Sequence, residues 1–148
     1  MTINHHIFFL PLTLIAAGLM LSSCSMNDRS AQQQRGSTEK ILVAYANAMK
    51  TGDYNQVPFA PAVTFLGPLT NGPIVGETQV KNFLRNVSKD VQEIRVKHHV
   101  IDGERACVIA ELVTKKGIVV PFCEFFRITN GDIAEIRPYF DPRLLIGS

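Results

Sequence analysis

The first 23 residues carry no lysine, arginine, aspartate or glutamate. In place of charge they hold an almost wholly apolar run, residues 7–21, interrupted by Pro11. A stable membrane helix takes about 20 apolar residues. This run is shorter and reads as the h-region of a secretory signal. Small Ser22 and Ser23 then leave room for a peptidase. The formal net charge of the whole chain is only +2, which argues against nucleic acid, a partner that usually demands a clustered basic face. A glycine-rich phosphate loop is missing, and so is a nucleophile–base signature. His98 and His99 are adjacent on a predicted strand and point to opposite faces, so they cannot chelate a metal together. No metal and no cofactor are expected.

What is present begins with Leu21-Ser22-Ser23-Cys24. The motif resembles the lipobox of bacterial lipoproteins, although His5, His6 and the α-amine supply the only positive charge ahead of it. The resemblance implies cleavage after residue 23 and acylation of the Cys24 thiol. The expected location is the bacterial cell envelope, anchored by lipid and facing the periplasm or exterior. Ser25 after the cysteine resembles lipoproteins passed on to the outer membrane of Gram-negative cells. Residues 24–36 are polar and aperiodic and read as a flexible tether. Residues 37–148 form the expected folded domain. Cys107 and Cys123 then remain in a compartment that permits disulfides. Counting outward from a turn near Lys115–Gly117 sets Cys107 opposite Phe125 or Phe126, not Cys123. Two free thiols are expected on that geometry.

Ser37 or Thr38 can cap a first helix, with Glu39 in its first turn complementing the dipole. Ile41, Leu42, Tyr45, Ala46 and Met49 make its apolar stripe. Gly52 ends it, and Asp53 is placed to cap a short second helix. A strand over residues 63–66 and a loop rich in glycine and proline follow. A further helix spans Glu77 to Ser88, with Val80, Phe83, Leu84 and Val87 on one face. From Val91 the period changes to 2. Ile94, Val96, His98 and Val100 form one face of a strand, and Asp102-Gly103 signals a hairpin turn. Ala106, Val108, Ala110 and Leu112 continue the inward face, then Phe122, Glu124, Phe126 and Ile128. Asn130-Gly131-Asp132 turns the chain into a last strand. Helices followed by an antiparallel meander give an α+β fold with helices on one sheet face. The other face carries Cys107, Ile109, Val113, Val119, Pro121, Cys123 and Phe125. An apolar face of that extent marks an interface, so a homodimer is expected.

Thr51-Gly52-Asp53, the pattern around Phe59 to Leu69, Gly76 with Val80, Phe83 and Leu84, and the run FRITNGDIAEIRPYFDP from Phe126 occur in a telling order. Together they resemble the nuclear transport factor 2-like superfamily, nearest its SnoaL-like polyketide cyclase and ketosteroid isomerase branch. The resemblance spans about residues 37–142. It implies a cystatin-like α+β barrel in which a curved antiparallel sheet wraps N-terminal helices into a cone with a pocket. Members are often dimers and include isomerases, cyclases, dehydratases and non-enzymatic binders, so the fold alone leaves function open. In the isomerase pattern the first-helix tyrosine falls on Tyr45, eight residues before Asp53. The acid two residues before Phe-Arg falls on Glu124. The general-base aspartate before a proline falls on Gly67, which cannot take a proton.

Glu124 is the focus of the expected site. Flanked by Phe122 and Phe126, its carboxyl is expected in apolar surroundings that raise its pKa toward a useful acid–base range. Tyr45 would stabilise a developing oxyanion, and His98, read as inward, would be a second acid–base group. Phe65, Phe83, Phe122, Phe126 and Tyr54 are the expected pocket lining, with Tyr54 at the rim. Asp53 reads as a helix cap and Asp141 as a strand terminator. Three functions remain open: a binder of a small apolar molecule, a cofactor-independent acid–base enzyme, and a protein-interaction domain of the envelope.

Overall fold

In a computed structural model the described residues run from 22 to 146, with side chains described for residues 28–145. The apolar run at residues 7–21 and the Cys24 side chain lie outside them. The elements are α1 (Ser22–Thr51), β1 (Phe59–Phe65), β2 (Ile74–Val75), α2 (Glu77–Ser88), β3 (Val91–Asp102), β4 (Arg105–Thr114), β5 (Val119–Thr129), β6 (Asp132–Tyr139) and α3 (Arg143–Ile146). The strands form one curved, unclosed sheet in the order β2-β1-β6-β5-β4-β3. This is an α+β cone: α1 and α2 pack on the concave face and share one core with it.

Local chemistry explains most boundaries. Leu42, Tyr45, Ala48 and Met49 bury one stripe of α1, and Gly52 ends the helix in the left-handed region at φ 76°, where glycine escapes the Cβ clash. Val80, Leu84 and Ser88 bury one face of α2. The β5–β6 turn has positive φ at both Asn130 and Gly131. That pattern matches the twist of the flanking strands and favours these two residue types.

Four expectations need correction. The segment read as a flexible tether is helical, because α1 begins at Ser22 and runs through it. Its alanine, glutamine and arginine residues are good helix formers, and residues 28–35 are exposed, so that stretch of α1 is solvated. No helix among the described residues is long and apolar enough to cross a membrane. The short second helix is absent; Asp53 Oδ1 instead accepts the Asn55 N–H at 2.9 Å, an Asx turn that competes with helix. The sheet is not wholly antiparallel, since β1 lies parallel to β6. That pairing joins segments too distant in sequence for turn chemistry to reveal.

The fourth correction concerns β3. Val96 pairs with Ala110 and His98 with Ile109, so one residue is extra on β3 and the register shifts between them. A bulge of this kind reverses which face each later side chain takes. His98 therefore shares the outward face with exposed Ile109, and His99, opposite Val108, turns toward the concave side.

On the outward face Ile109 and Val119 are exposed, while Val113 is buried. Cys107 pairs with Phe125 and Ile109 with Cys123, so the two cysteines are diagonal neighbours. Both thiols are free, as expected, with their sulfurs 2.7 Å apart. Sheet twist brings one diagonal of side chains together.

Candidate functional site

Glu124 sits mid-way along β5, between Val108 of β4 and Pro138 of β6. Strand alternation points it inward with Val120, Phe126 and Ile128, and it is only 6% exposed. From α1, across the core, Tyr45 Oη donates a hydrogen bond to Glu124 Oε1 at 3.0 Å. The Tyr45 ring meets Phe126 edge-on, with centroids 5.1 Å apart. This edge contact and the helix stripe hold the phenol in place.

Among the described residues no lysine or arginine pairs with Glu124. Burial pushes its carboxyl up to about 8, and the Tyr45 hydrogen bond offsets only part of that rise. Burial, followed by the neighbouring carboxyl, also holds Tyr45 well above the ordinary phenol range. The phenol therefore stays a donor while the carboxyl exchanges its proton near neutral pH. No fully buried side-chain oxygen among the described residues lacks a partner. Oε2, which makes no such bond, is open to the adjoining space.

That space is two cavities sharing Tyr45, Met49, Phe122 and Glu124. The larger, about 450 Å³, lies between α1 and β3–β5, with Ile94, Val108 and Phe126 on its walls and Glu39, Asn47 and His99 among its polar lining. The smaller, about 80 Å³, lies toward α2 and is lined by Phe65, Phe83, Gly67 and Pro138 among others. Phe65, Phe83, Phe122 and Phe126 thus all face one cavity or the other. Tyr54 does not. It is fully buried in the core, with its hydroxyl 2.8 Å from Ser88 Oγ, because the Asx turn at Asp53 swings it under α2 and away from the rim.

His98 stands outside the site, and its role passes to no inward group by sequence position alone. His99 Nε2 lies 3.4 Å from Glu39 Oε1, an exposed contact at the larger cavity's edge. Sequence reasoning missed both residues, although a signal existed for His99. Ile94 and Ile101 are seven apart yet both apolar, and Ala106 on the inward face requires Ile101 opposite it. An odd spacing between two inward positions demands one extra residue.

At Gly67, an added Cβ would stand 2.8 Å from Pro138 Cγ. A side chain there would require the proline ring to shift, so glycine lets β6 pack closely at this point. No group of His, Cys, Asp and Glu among the described residues is arranged to hold a metal ion.

Residues 33–148 match the family described as Domain of unknown function (DUF4904). The chain belongs to the DUF4904 family. Among curated proteins, none matches it in sequence. Solved structures share its fold. An NTF2-like protein of unknown function from Cytophaga hutchinsonii is 20% identical, with TM-score 0.63 over 74% of this chain and 94% of its own. A putative SnoaL-like polyketide cyclase from Jannaschia sp. is 15% identical, with TM-score 0.63 over 75% and 90%. A protein with a ketosteroid isomerase-like fold from Catenulispora acidiphila, solved in complex with trimethylamine, is 16% identical, with TM-score 0.62 over 72% and 89%. At these identities the likeness establishes the NTF2-like cone for this DUF4904 member and leaves its chemistry to its own residues.

Proposed function

We propose that this DUF4904 protein is a lipid-anchored binding domain of the bacterial cell envelope that holds a small, mainly apolar molecule in its cone. The observation that carries this reading is the larger cavity, of a size that suits a small ligand. Its walls are apolar, and one buried polar pair, Glu124 and Tyr45, lies at its floor. Few, well-placed polar groups in an apolar cavity orient a ligand without requiring a reaction. The test is displacement of a neutral apolar dye such as N-phenyl-1-naphthylamine. Ala46→Phe, which fills the cavity from α1, should abolish dye binding while the fold, by circular dichroism, is kept. Equal dye binding by both proteins would refute the reading.

The anchor rests on the Leu21-Ser22-Ser23-Cys24 motif. Mass spectrometry of the membrane fraction should find a mature chain beginning at acylated Cys24. In that form α1 is a helical stalk rising from the membrane, and Ser25 favours the outer membrane where one exists. A homodimer through the outward face is part of the same proposal, supported by exposed Ile109 and Val119. Phe125→Asp should convert a sedimenting dimer to monomers.

A second reading has a specific observation behind it. A buried carboxyl poised near neutral pH, beside a fixed phenol donor, suits a cofactor-independent isomerase, cyclase or dehydratase. Gly67 supplies no separate base at the position where such a site would draw on one. A folded Glu124→Gln variant that binds a substrate-like ligand yet loses turnover would establish the enzyme reading.

A further inference from the structure

Both cavities share an electrostatic asymmetry. Their charged lining side chains are carboxyls, Glu124 at the floor and Glu39 at the edge, and neither cavity is lined by a lysine or an arginine. Glu124 is buried, has one oxygen held by Tyr45 and the other open to the cavity, and has no cationic partner among the described residues. A buried carboxylate without a counter-charge is costly, and the cost is relieved by supplying one. Tyr45, Phe122 and Phe126 add ring faces and edges around it, and aromatic rings attract cations at short range.

We propose that the molecule held in the larger cavity is a small organic cation: an apolar body bearing an amine whose charge seats against Glu124 Oε2. The proposal rests on the binding reading above and names the ligand class for that site. Glu39 at the edge is already met by Arg35 Nε at 3.7 Å and His99 Nε2 at 3.4 Å, so Glu124 is the carboxyl that lacks a cation. An anion would find no lysine or arginine in the lining beside it, and a neutral hydrogen-bond acceptor would use Glu124 only as a proton donor.

The proton balance separates these cases. With Glu124 at about 8, the empty site holds its proton at neutral pH. Seating an ammonium makes an ammonium–carboxylate pair and releases that proton to solvent, so affinity climbs as pH rises toward 8. A neutral acceptor needs the protonated carboxyl, so its affinity falls as pH rises through the same point. Besides Glu124, the titratable and charged groups at the site are Tyr45 and Glu39 from α1, with Arg35 paired to Glu39, and His99 from β3, with Tyr54 from the loop after α1 nearby and Cys123 beside it on β5. The lining residues of β4 and β6 do not titrate.

The test is calorimetry on the full-length chain in detergent, using benzylamine and its neutral match, benzyl alcohol, between about pH 6 and pH 8. The expected result is benzylammonium binding at least roughly tenfold tighter than the alcohol at the upper pH, with about one proton released per site at the lower. Glu124→Gln should erase the preference while leaving alcohol binding intact. Glu124→Asp, which keeps the charge, should retain a preference even if the Gln variant folds poorly. His99→Gln should leave the preference and its pH slope in place. Alcohol binding as tight as the amine, or a preference that survives Glu124→Gln, overturns the cation while sparing the binding reading. Failure of both probes, together with failure of the neutral dye, overturns the binding reading and the cation with it.

Discussion

The two faces of one sheet treat the same side chain in opposite ways. On the concave face Glu124 is buried with a single phenol donor, and its carboxyl is pushed up to about 8. On the convex face burial also works upward on Glu135, but hydrogen bonds from Arg127 and Arg137 outweigh it and hold the carboxyl below its usual range. Arg127 and Glu135 face each other across β5 and β6, with Arg127 Nε 3.2 Å from Glu135 Oε2. Desolvation without a counter-charge stores free energy that a ligand can release, whereas pairing with cations at the surface leaves nothing for a ligand to answer. That contrast is why the concave glutamate, and not the convex one, marks the site.

The largest expected effect comes from removing the stored cost. Glu124 has a folded pKa above its unfolded value, so its contribution to stability is neutral in acid and grows unfavourable as pH rises from about 4.5 to about 8. Glu124→Gln should therefore raise stability at alkaline pH, on the order of 5 kcal/mol, and leave it nearly unchanged at acid pH. Denaturant unfolding across pH measures both ends. An equal effect at all pH values would show that Glu124 does not titrate as placed.

Next in size is the convex-face thiol pair. Cys107 and Cys123 share a face as diagonal neighbours. Burial, then the neighbouring thiol, holds Cys123 up at about 11, which slows its oxidation. Given glutathione disulfide, the two thiols should pass two electrons and two protons to it, yielding one internal disulfide and two glutathiones. Closing that loop is expected to add about 3 kcal/mol over the reduced form. Mass spectrometry with thiol alkylation counts the bond, and unfolding under oxidising and reducing conditions measures its effect.

Tyr45→Phe should cost about 1–2 kcal/mol, because it removes the donor from a buried acceptor. It should also move the Glu124 titration midpoint upward, since the Tyr45 hydrogen bond is what lowers it. A carboxyl infrared band followed with pH reads that midpoint. An unmoved midpoint would detach Tyr45 from the carboxyl.

The smallest effect completes the contrast. Glu135 has a lowered folded pKa, so its pairs stabilise above its unfolded value and lose that contribution as pH falls through the folded one. Glu135→Gln should cost less than about 1 kcal/mol at neutral pH, as partly exposed ion pairs do, and nothing in strong acid. The pH trends of the two Glu→Gln variants should therefore run in opposite senses.

Much of the site was legible where a residue's direction follows from its own neighbourhood. Alternation along β5 turned Glu124, Phe122 and Phe126 inward, and the 3.6 period of α1 put Tyr45 on the buried stripe. The same logic failed where one residue reset the phase. An extra residue near Lys97 exchanged His98 for His99, and the turn at Asp53 carried Tyr54 into the core. Glu39 lies on α1 at a position read only as a helix start, and nothing local ties it to a cavity formed with β3.

The stripes of α1 and α2, the hairpin turns at Gly103 and at Asn130-Gly131, and the face that Glu124 takes can all be read along the chain, because each follows from backbone geometry over a few neighbouring residues. The assembled fold alone brings Tyr45 to Glu124 across 79 positions, lays β1 parallel to β6 and lets the two thiols meet. Those contacts depend on how helices and a twisted sheet pack against one another, and packing sums weak interactions over the whole core.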